Sequence, residues 1–152
     1  MRLALYQPDI PQNTGTILRL AACMDIGVDI IEPAGFAMTD KALRRAGMDY
    51  LEKLDMIRHA SFAHFIEHRN TRPGSLVLLT TKASTPYTRH LFGPDDTLLL
   101  GRESAGAPEH VHRAADARII IPMRAQMRSL NIAVSAAMVL GEALRQTDGF
   151  TL

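Results

Sequence analysis

Leu98-Leu99-Leu100-Gly101-Arg102-Glu103-Ser104-Ala105-Gly106 is the stretch from which the fold can be read. Three leucines bounded by Asp96 upstream and Gly101 downstream are too few for a helix. They suit a strand buried on both faces, as in a parallel sheet. The same pattern recurs at Leu3 to Tyr6, Val28 to Ile31, Leu76 to Thr80 and Ile119 to Ile121. Helical patterns fall between these runs, at about Thr14 to Asp25, Asp40 to Ala46, Phe62 to Arg69, Pro108 to Ala115 and Ser129 to Gln146. Strand-helix alternation predicts an α/β fold with a parallel sheet and helices on both faces. Asn13, Thr39 or Asp40, and Ser129 are expected to cap helices, because their side-chain oxygens can accept from first-turn amides. Asn70-Thr71-Arg72-Pro73-Gly74 is a loop by composition. No repeat, low-complexity tract or linker divides the chain, so residues 1–152 are expected to form one domain.

Apolar residues make up 47% and charged residues 22%, which argues against disorder. Lys and Arg total 17 against 16 Asp and Glu, so any affinity for nucleic acid must come from local clustering. Cys23 is the one cysteine, which excludes an intrachain disulfide, and its apolar neighbours predict a small buried residue. The opening Met1-Arg2-Leu3-Ala4-Leu5-Tyr6 has no charged-then-apolar leader pattern, and no apolar run approaches the roughly 20 residues of a membrane span. A cytoplasmic protein with no membrane partner is the expectation.

Ligands of open α/β sheets bind at the carboxyl ends of the strands. Three segments place small or polar residues there. Pro11-Gln12-Asn13-Thr14-Gly15-Thr16-Ile17-Leu18-Arg19 follows the first strand, Gly101 to Gly106 follows Leu100, and Pro122-Met123-Arg124-Ala125-Gln126-Met127-Arg128-Ser129-Leu130-Asn131 follows Ile121. The second lacks both the Gly-x-Gly-x-x-Gly dinucleotide pattern and the Gly-Lys-Ser/Thr ending of a phosphate-binding loop. Taken singly, each segment also fits a capped helix or a glycine-rich turn.

Together the three resemble the motifs of the SPOUT superfamily of RNA methyltransferases: Asn13-x-Gly15-xxx-Arg19, Gly101-x-Glu103-xx-Gly106 and Ser129-Leu130-Asn131, in order. Within it the chain resembles the TrmL type, which methylates the wobble nucleotide of tRNA. The likeness extends to Ile31-Glu32-Pro33-x-Gly35-Phe36, to Arg44-Arg45-Ala46-Gly47-Met48-Asp49-Tyr50 and to Leu79-Thr80-Thr81-Lys82. Two stretches depart from it. Arg102-Glu103-Ser104-Ala105-Gly106 stands where relatives usually carry Pro-Glu-Thr-Arg-Gly, and Gly141-Glu142-Ala143 where a tyrosine commonly precedes the glutamate. Both departures are expected to touch the substrate or cofactor region.

The resemblance implies a parallel-sheet SPOUT fold with a deep trefoil knot from roughly Leu76 onward. It implies S-adenosylmethionine as methyl donor, held by Leu79, Gly101, Ile121, Met123, Ser129 and Leu130. It also implies Arg19, Glu103 and Asn131 as the catalytic set. An arginine guanidinium stays protonated in proteins, so Arg19 is read as orienting the ribose or its phosphate and stabilising a developing alkoxide. Glu103 and Asn131 would hold the substrate or a loop; Glu103 also fits a structural role, accepting backbone amides. Lys41, Arg44 and Arg45, with Arg124 and Arg128, are candidate phosphate contacts, although the first three equally fit a solvated helix face.

His64 and His68 are four apart on a predicted helix with His59 upstream, but no His-Glu-x-x-His or third ligand at a telling spacing accompanies them, so no metal is expected. The final helix is apolar nearly all round, which fits core packing within one chain as well as burial against a second copy; the resemblance, whose members are dimers, implies a homodimer acting on a tRNA anticodon stem-loop. The alternatives are methylation of another tRNA position or of ribosomal RNA, and a non-catalytic RNA-binding module.

Overall fold

A computed structural model describes residues 1–45 and 51–150, apart from the side chains of residues 40 and 44. All the described strands join one parallel sheet: β1 (Arg2–Tyr6), β2 (Gly27–Ile31), β3 (Met56–His59), β4 (Leu76–Leu79), β5 (Thr85–Pro86), β6 (Thr97–Leu100) and β7 (Ala117–Ile120), in the order β3-β2-β1-β6-β4-β7-β5. Among the described residues five α-helices accompany them: α1 (Pro11–Cys23), α2 (Asp40–Arg45), α3 (Phe62–Arg69), α4 (Glu109–Ala114) and α5 (Ile132–Gln146). Leu100 is in register with Leu5 on one side and Leu79 on the other. Thr80 N–H continues the ladder to Ile119. The carboxyl ends of β1, β6, β4 and β7 therefore lie side by side, and their loops leave the sheet together.

Alternation along the strands builds two cores. Leu3, Leu5, Val28, Ile30, Val77, Leu98 and Leu100 face α1 and α5, where Ile17, Leu18, Ala136, Val139 and Leu140 complete the packing. Ala4, Tyr6, Ile31, Leu78 and Leu99 face the other way, onto Phe65 of α3 and Val111 of α4. Each fully buried leucine contributes about 1.5–3 kcal/mol.

Asp29 interrupts this pattern. It is completely buried on β2, where it accepts from Arg2 Nε at 2.8 Å and Arg72 Nη2 at 3.2 Å, with His59 Nε2 2.8 Å from its other oxygen. Asp55 takes a second nitrogen of Arg2. The charge is tolerated because several donors surround it.

The sequence boundaries need correcting at several points. Pro11 occupies the first turn of α1, so Ile10 is the N-cap and Asn13 lies inside the helix. Asn131, not Ser129, caps α5, its Oδ1 accepting from Ala133 and Val134. Thr39 does accept from Ala42 N–H, as a cap should. β3 and β5 went unpredicted, because Met56-Ile57-Arg58-His59 and Thr85-Pro86 carry too few apolar residues to read as strands. Cys23 is exposed, because α1 turns Ile17, Leu18 and Ala21 inward and leaves its last residue on the outer side. Ala46 to Tyr50 lie outside the described residues. Among the described residues no helix is long and apolar enough to cross a membrane.

Candidate active site

A cleft of about 510 Å³ opens where the loops after β4, β6 and β7 meet the start of α1. Its size falls in the range of small-molecule sites, roughly 300–1,000 Å³. Leu79, Leu100, Ile121, Met123 and Leu130 supply apolar wall, while Thr80, Ser129 and the 101–106 loop supply polar groups. All six residues expected to hold a cofactor line this cleft.

The 101–106 loop is closed on itself. Arg102 N–H donates to Gly106 O at 3.0 Å, and Gly106 N–H returns to Arg102 O at 2.9 Å. A Cβ on Gly101 would lie 2.7 Å from the Gly106 carbonyl carbon, so only glycine fits there, and Gly106 has a φ of 66°.

Glu103 lines the cleft but also makes contacts inside the protein. Its carboxyl accepts from Asp9 N–H at 3.1 Å, and its own N–H donates to Asp9 Oδ1 at 3.2 Å. Ser104 Oγ donates to the same Asp9 carboxylate, and Arg102 Nη2 stands 3.5 Å from it. Asp9 is held down to about 2 by the hydrogen bond from the Glu103 carboxyl, with Ser104 and Arg102 adding to the effect. Glu103 moves the other way, pushed up by burial and by the bond to Asp9. The opposite shifts follow from one contact, in which each residue's backbone N–H donates to the other's carboxylate. Ionised Asp9 is a weak base and a firm tie between two loops.

Asn131 is similarly engaged. While its oxygen caps α5, its Nδ2 donates to Asn13 Oδ1 at 2.9 Å, joining the starts of α5 and α1. Arg19 is exposed on α1 and does not line the cleft. Six residues of helix carry it about 9 Å along the axis from Asn13, so the two are not at the same end. The structure thus brings Glu103 and Asn131 together and leaves Arg19 outside this chain's own cleft.

Of the candidate RNA contacts, Arg128 lines the cleft, Arg124 is exposed on the same loop, and Lys41 and Arg45 are exposed on α2. The side chain of Arg44 lies outside the described residues. Gly141 and Glu142 do not line the cleft, and Glu142 is instead paired with Arg145 and Gln146 along α5. Asp29, His59 and His68 have ligand atoms within 4.8 Å of one another. Two guanidiniums already occupy the Asp29 carboxylate, though, and an ion-pair network describes this cluster better than a cation site.

Sequence reasoning missed Asp9, Lys82, Arg102 and His112. Asp9 stands two residues before the segment singled out after β1, between Pro8 and Pro11; the strand-end rule applied from Tyr6 onward points to it. Arg102 and Lys82 lay inside stretches quoted for their neighbours. His112 lines the cleft from α4, and its buried Nε2 has no hydrogen-bond partner.

The model of the SpoU rRNA methylase family matches residues 1–141. A tRNA (cytidine(34)-2′-O)-methyltransferase from Beijerinckia indica is 63% identical over 144 residues, covering 95% of this chain and 90% of that one. A solved structure described as giving insight into the 2-OH methylation of C/U34 on tRNA superposes with a TM-score of 0.88 at 37% identity, covering 95% of this chain and 94% of the other. An AdoMet-bound rRNA methyltransferase from Sinorhizobium meliloti superposes with a TM-score of 0.85 at 27% identity, over 95% of this chain and 55% of its own. On the motif-bearing loops, the cleft they form and these likenesses, the chain belongs to the SpoU methylase family.

Proposed function

We propose that this chain is a cytoplasmic tRNA methyltransferase that uses S-adenosylmethionine to methylate the ribose 2′-oxygen of the cytidine or uridine at wobble position 34. The observation that carries the reading is the convergence of the three motif-bearing segments on one cleft of suitable size. The names of the Beijerinckia relative and of the C/U34 structure support the substrate, and the AdoMet-bound neighbour supports the donor.

The residues present suit that donor. Gly101, where the structure leaves no room for a Cβ, lets backbone approach a ligand closely, and the apolar walls suit an adenine between Leu79, Ile121 and Leu130. When bound, S-adenosylmethionine supplies an electrophilic methyl group on sulfur. Methyl transfer from a donor held there to a ribose 2′-oxygen would leave the sulfur as a neutral thioether and release the hydroxyl proton to solvent water. Asp9, with its lowered pKa, is a poor acceptor for that proton. Arg19 is assigned to orienting the ribose and stabilising negative charge on its oxygen.

Exposure of Arg19 outside its own cleft favours a homodimer in which it serves the cleft of the second copy. Val134, Ala137 and Met138 form an exposed apolar stripe on α5, and nothing would meet a Cβ at Gly141, so a second helix has room to approach. Residues 1–152 are read as one domain that grips the anticodon stem-loop. The position of β6 between β1 and β4, with α5 returning onto α1 and β6, supports a knotted C-terminal part.

Incubating the protein with labelled S-adenosylmethionine and tRNA, then mapping the methylated ribose, tests the proposal. Label at nucleotide 34 is the expected result; label elsewhere in tRNA or only in ribosomal RNA replaces the substrate assignment, and no transfer to any RNA removes the enzymatic one.

A further inference from the structure

Asp9 receives three donors from the loop that forms the cleft's floor. The Glu103 backbone N–H, the Ser104 hydroxyl and the Arg102 guanidinium all reach its carboxylate, and its own N–H returns to Glu103. From behind, Asp9 is fixed by Gly35. A Cβ on Gly35 would fall 2.6 Å from Asp9 Cβ and 2.9 Å from Asp9 Cα, and Gly35 N–H donates to Pro8 O at 2.8 Å. Asp9 is therefore held from one side while it grips the loop from the other.

Without these contacts, the paired hydrogen bonds between Arg102 and Gly106 would close the loop but leave the Glu103-Ser104 tip free of its tie to the strand-end segment. Small misplacements of such supporting groups weaken a site in proportion to how closely the ligand must fit. We propose that Asp9 is a positioning residue that sets the conformation of the Gly101 to Gly106 loop and, through it, the affinity for the methyl donor. The proposal rests on the functional reading above for the identity of the ligand. Asp9 does not line the cleft, so it acts through Glu103, Ser104 and Gly101 rather than on the donor itself.

Calorimetry with S-adenosylmethionine and S-adenosylhomocysteine, steady-state kinetics on tRNA, and amide hydrogen exchange together test it on the purified full chain. Losing charged hydrogen bonds on the loop corresponds to about 10- to 100-fold in affinity. Asp9→Ala is expected to raise Kd and the cofactor KM by that factor, to leave kcat at saturating cofactor nearly unchanged, and to speed exchange at the Glu103 and Ser104 amides. Gly35→Ala displaces Asp9 without altering its charge and should act in the same direction. Asp9→Asn keeps one acceptor oxygen, for the Glu103 N–H or for the Ser104 hydroxyl but not for both, and should recover part of the affinity. Faster exchange with unchanged Kd and KM reduces Asp9 to a structural role and overturns the proposal, as does unchanged exchange in both variants. Should Asp9→Ala not fold, Asp9→Asn and Ser104→Ala decide by the same readouts. Failure of the wild-type protein to bind either cofactor refutes the functional reading instead.

Discussion

Asp29 and Asp9 are both carboxylates at the centre of polar clusters, and both are held below their ordinary pKa, yet different partners hold them. Burial works to raise Asp29, but the hydrogen bonds from His59 and Arg2 and the charges of Arg2 and Arg72 outweigh it. Those cations belong to the chain and cannot leave. Asp9 sits partly buried beside the cleft-lining loop and is held down by hydrogen bonds from Glu103 and the Ser104 hydroxyl, with the Arg102 charge adding to them. One cluster ties neighbouring strands of the sheet to one another, the other ties two loops beside the cleft.

The comparison breaks if the first cluster proves dispensable. Asp29→Ala strands Arg2 and Arg72 around an emptied position and is expected to cost about 3–5 kcal/mol, read by denaturant unfolding, while the folded fraction binds cofactor normally. An unchanged midpoint would show that the network contributes nothing. Arg19 belongs to neither cluster and sharpens the contrast. Arg19→Ala should lower kcat about 100- to 1,000-fold, as loss of an oxyanion donor does, with melting temperature and cofactor Kd intact. Hybrid dimers of Arg19→Ala with cofactor-defective Gly101 variants should recover activity; a sedimenting monomer that still methylates tRNA contradicts the shared site.

A third cluster uses no charge. Asn131→Ala removes the α5 cap and the tie to Asn13, and is expected to cost about 1 kcal/mol in unfolding experiments. The smallest effect is in pH. Glu103 is raised above its ordinary 4.5, so its contribution is complete below that value and is lost as pH rises through the raised one. Asp9 and Asp29, lowered from 3.8, contribute above that value and lose it as pH falls. Asp29→Ala should thus flatten the acid limb of a stability–pH curve, and Glu103→Gln its alkaline limb. Curves that coincide with wild type would remove the distinction.

Much of the fold could be read because buried parallel strands are short apolar runs and five of the seven met that description. The two that did not sit at the sheet's edges, where fewer side chains need burial. The cleft wall was legible for a related reason: Leu79, Gly101 and Ile121 are at or just beyond strand ends, so finding the strands located them. Roles were harder to read than places. Glu103 could be read in the sequence either as a catalytic group or as a structural acceptor of backbone amides, but its partner Asp9 and Asn131's partner Asn13 lie far away along the chain, and only folding reveals which groups are engaged. Asp29 was hidden by its neighbours, since one acid in an apolar run reads as an exception until Arg2 and Arg72 arrive beside it.

Those distances have a consequence for how the protein is made. Asp9 finds Glu103 across 94 residues and Asn13 finds Asn131 across 118. A growing chain displays its first motif long before the other two have been synthesised, and contacts so remote form slowly. Ligand binding stabilises only the state that contains the binding site. The methyl donor can therefore do nothing to guide the early chain; it rewards the finished one, so cellular donor supply should protect mature protein from unfolding while leaving its yield from synthesis untouched.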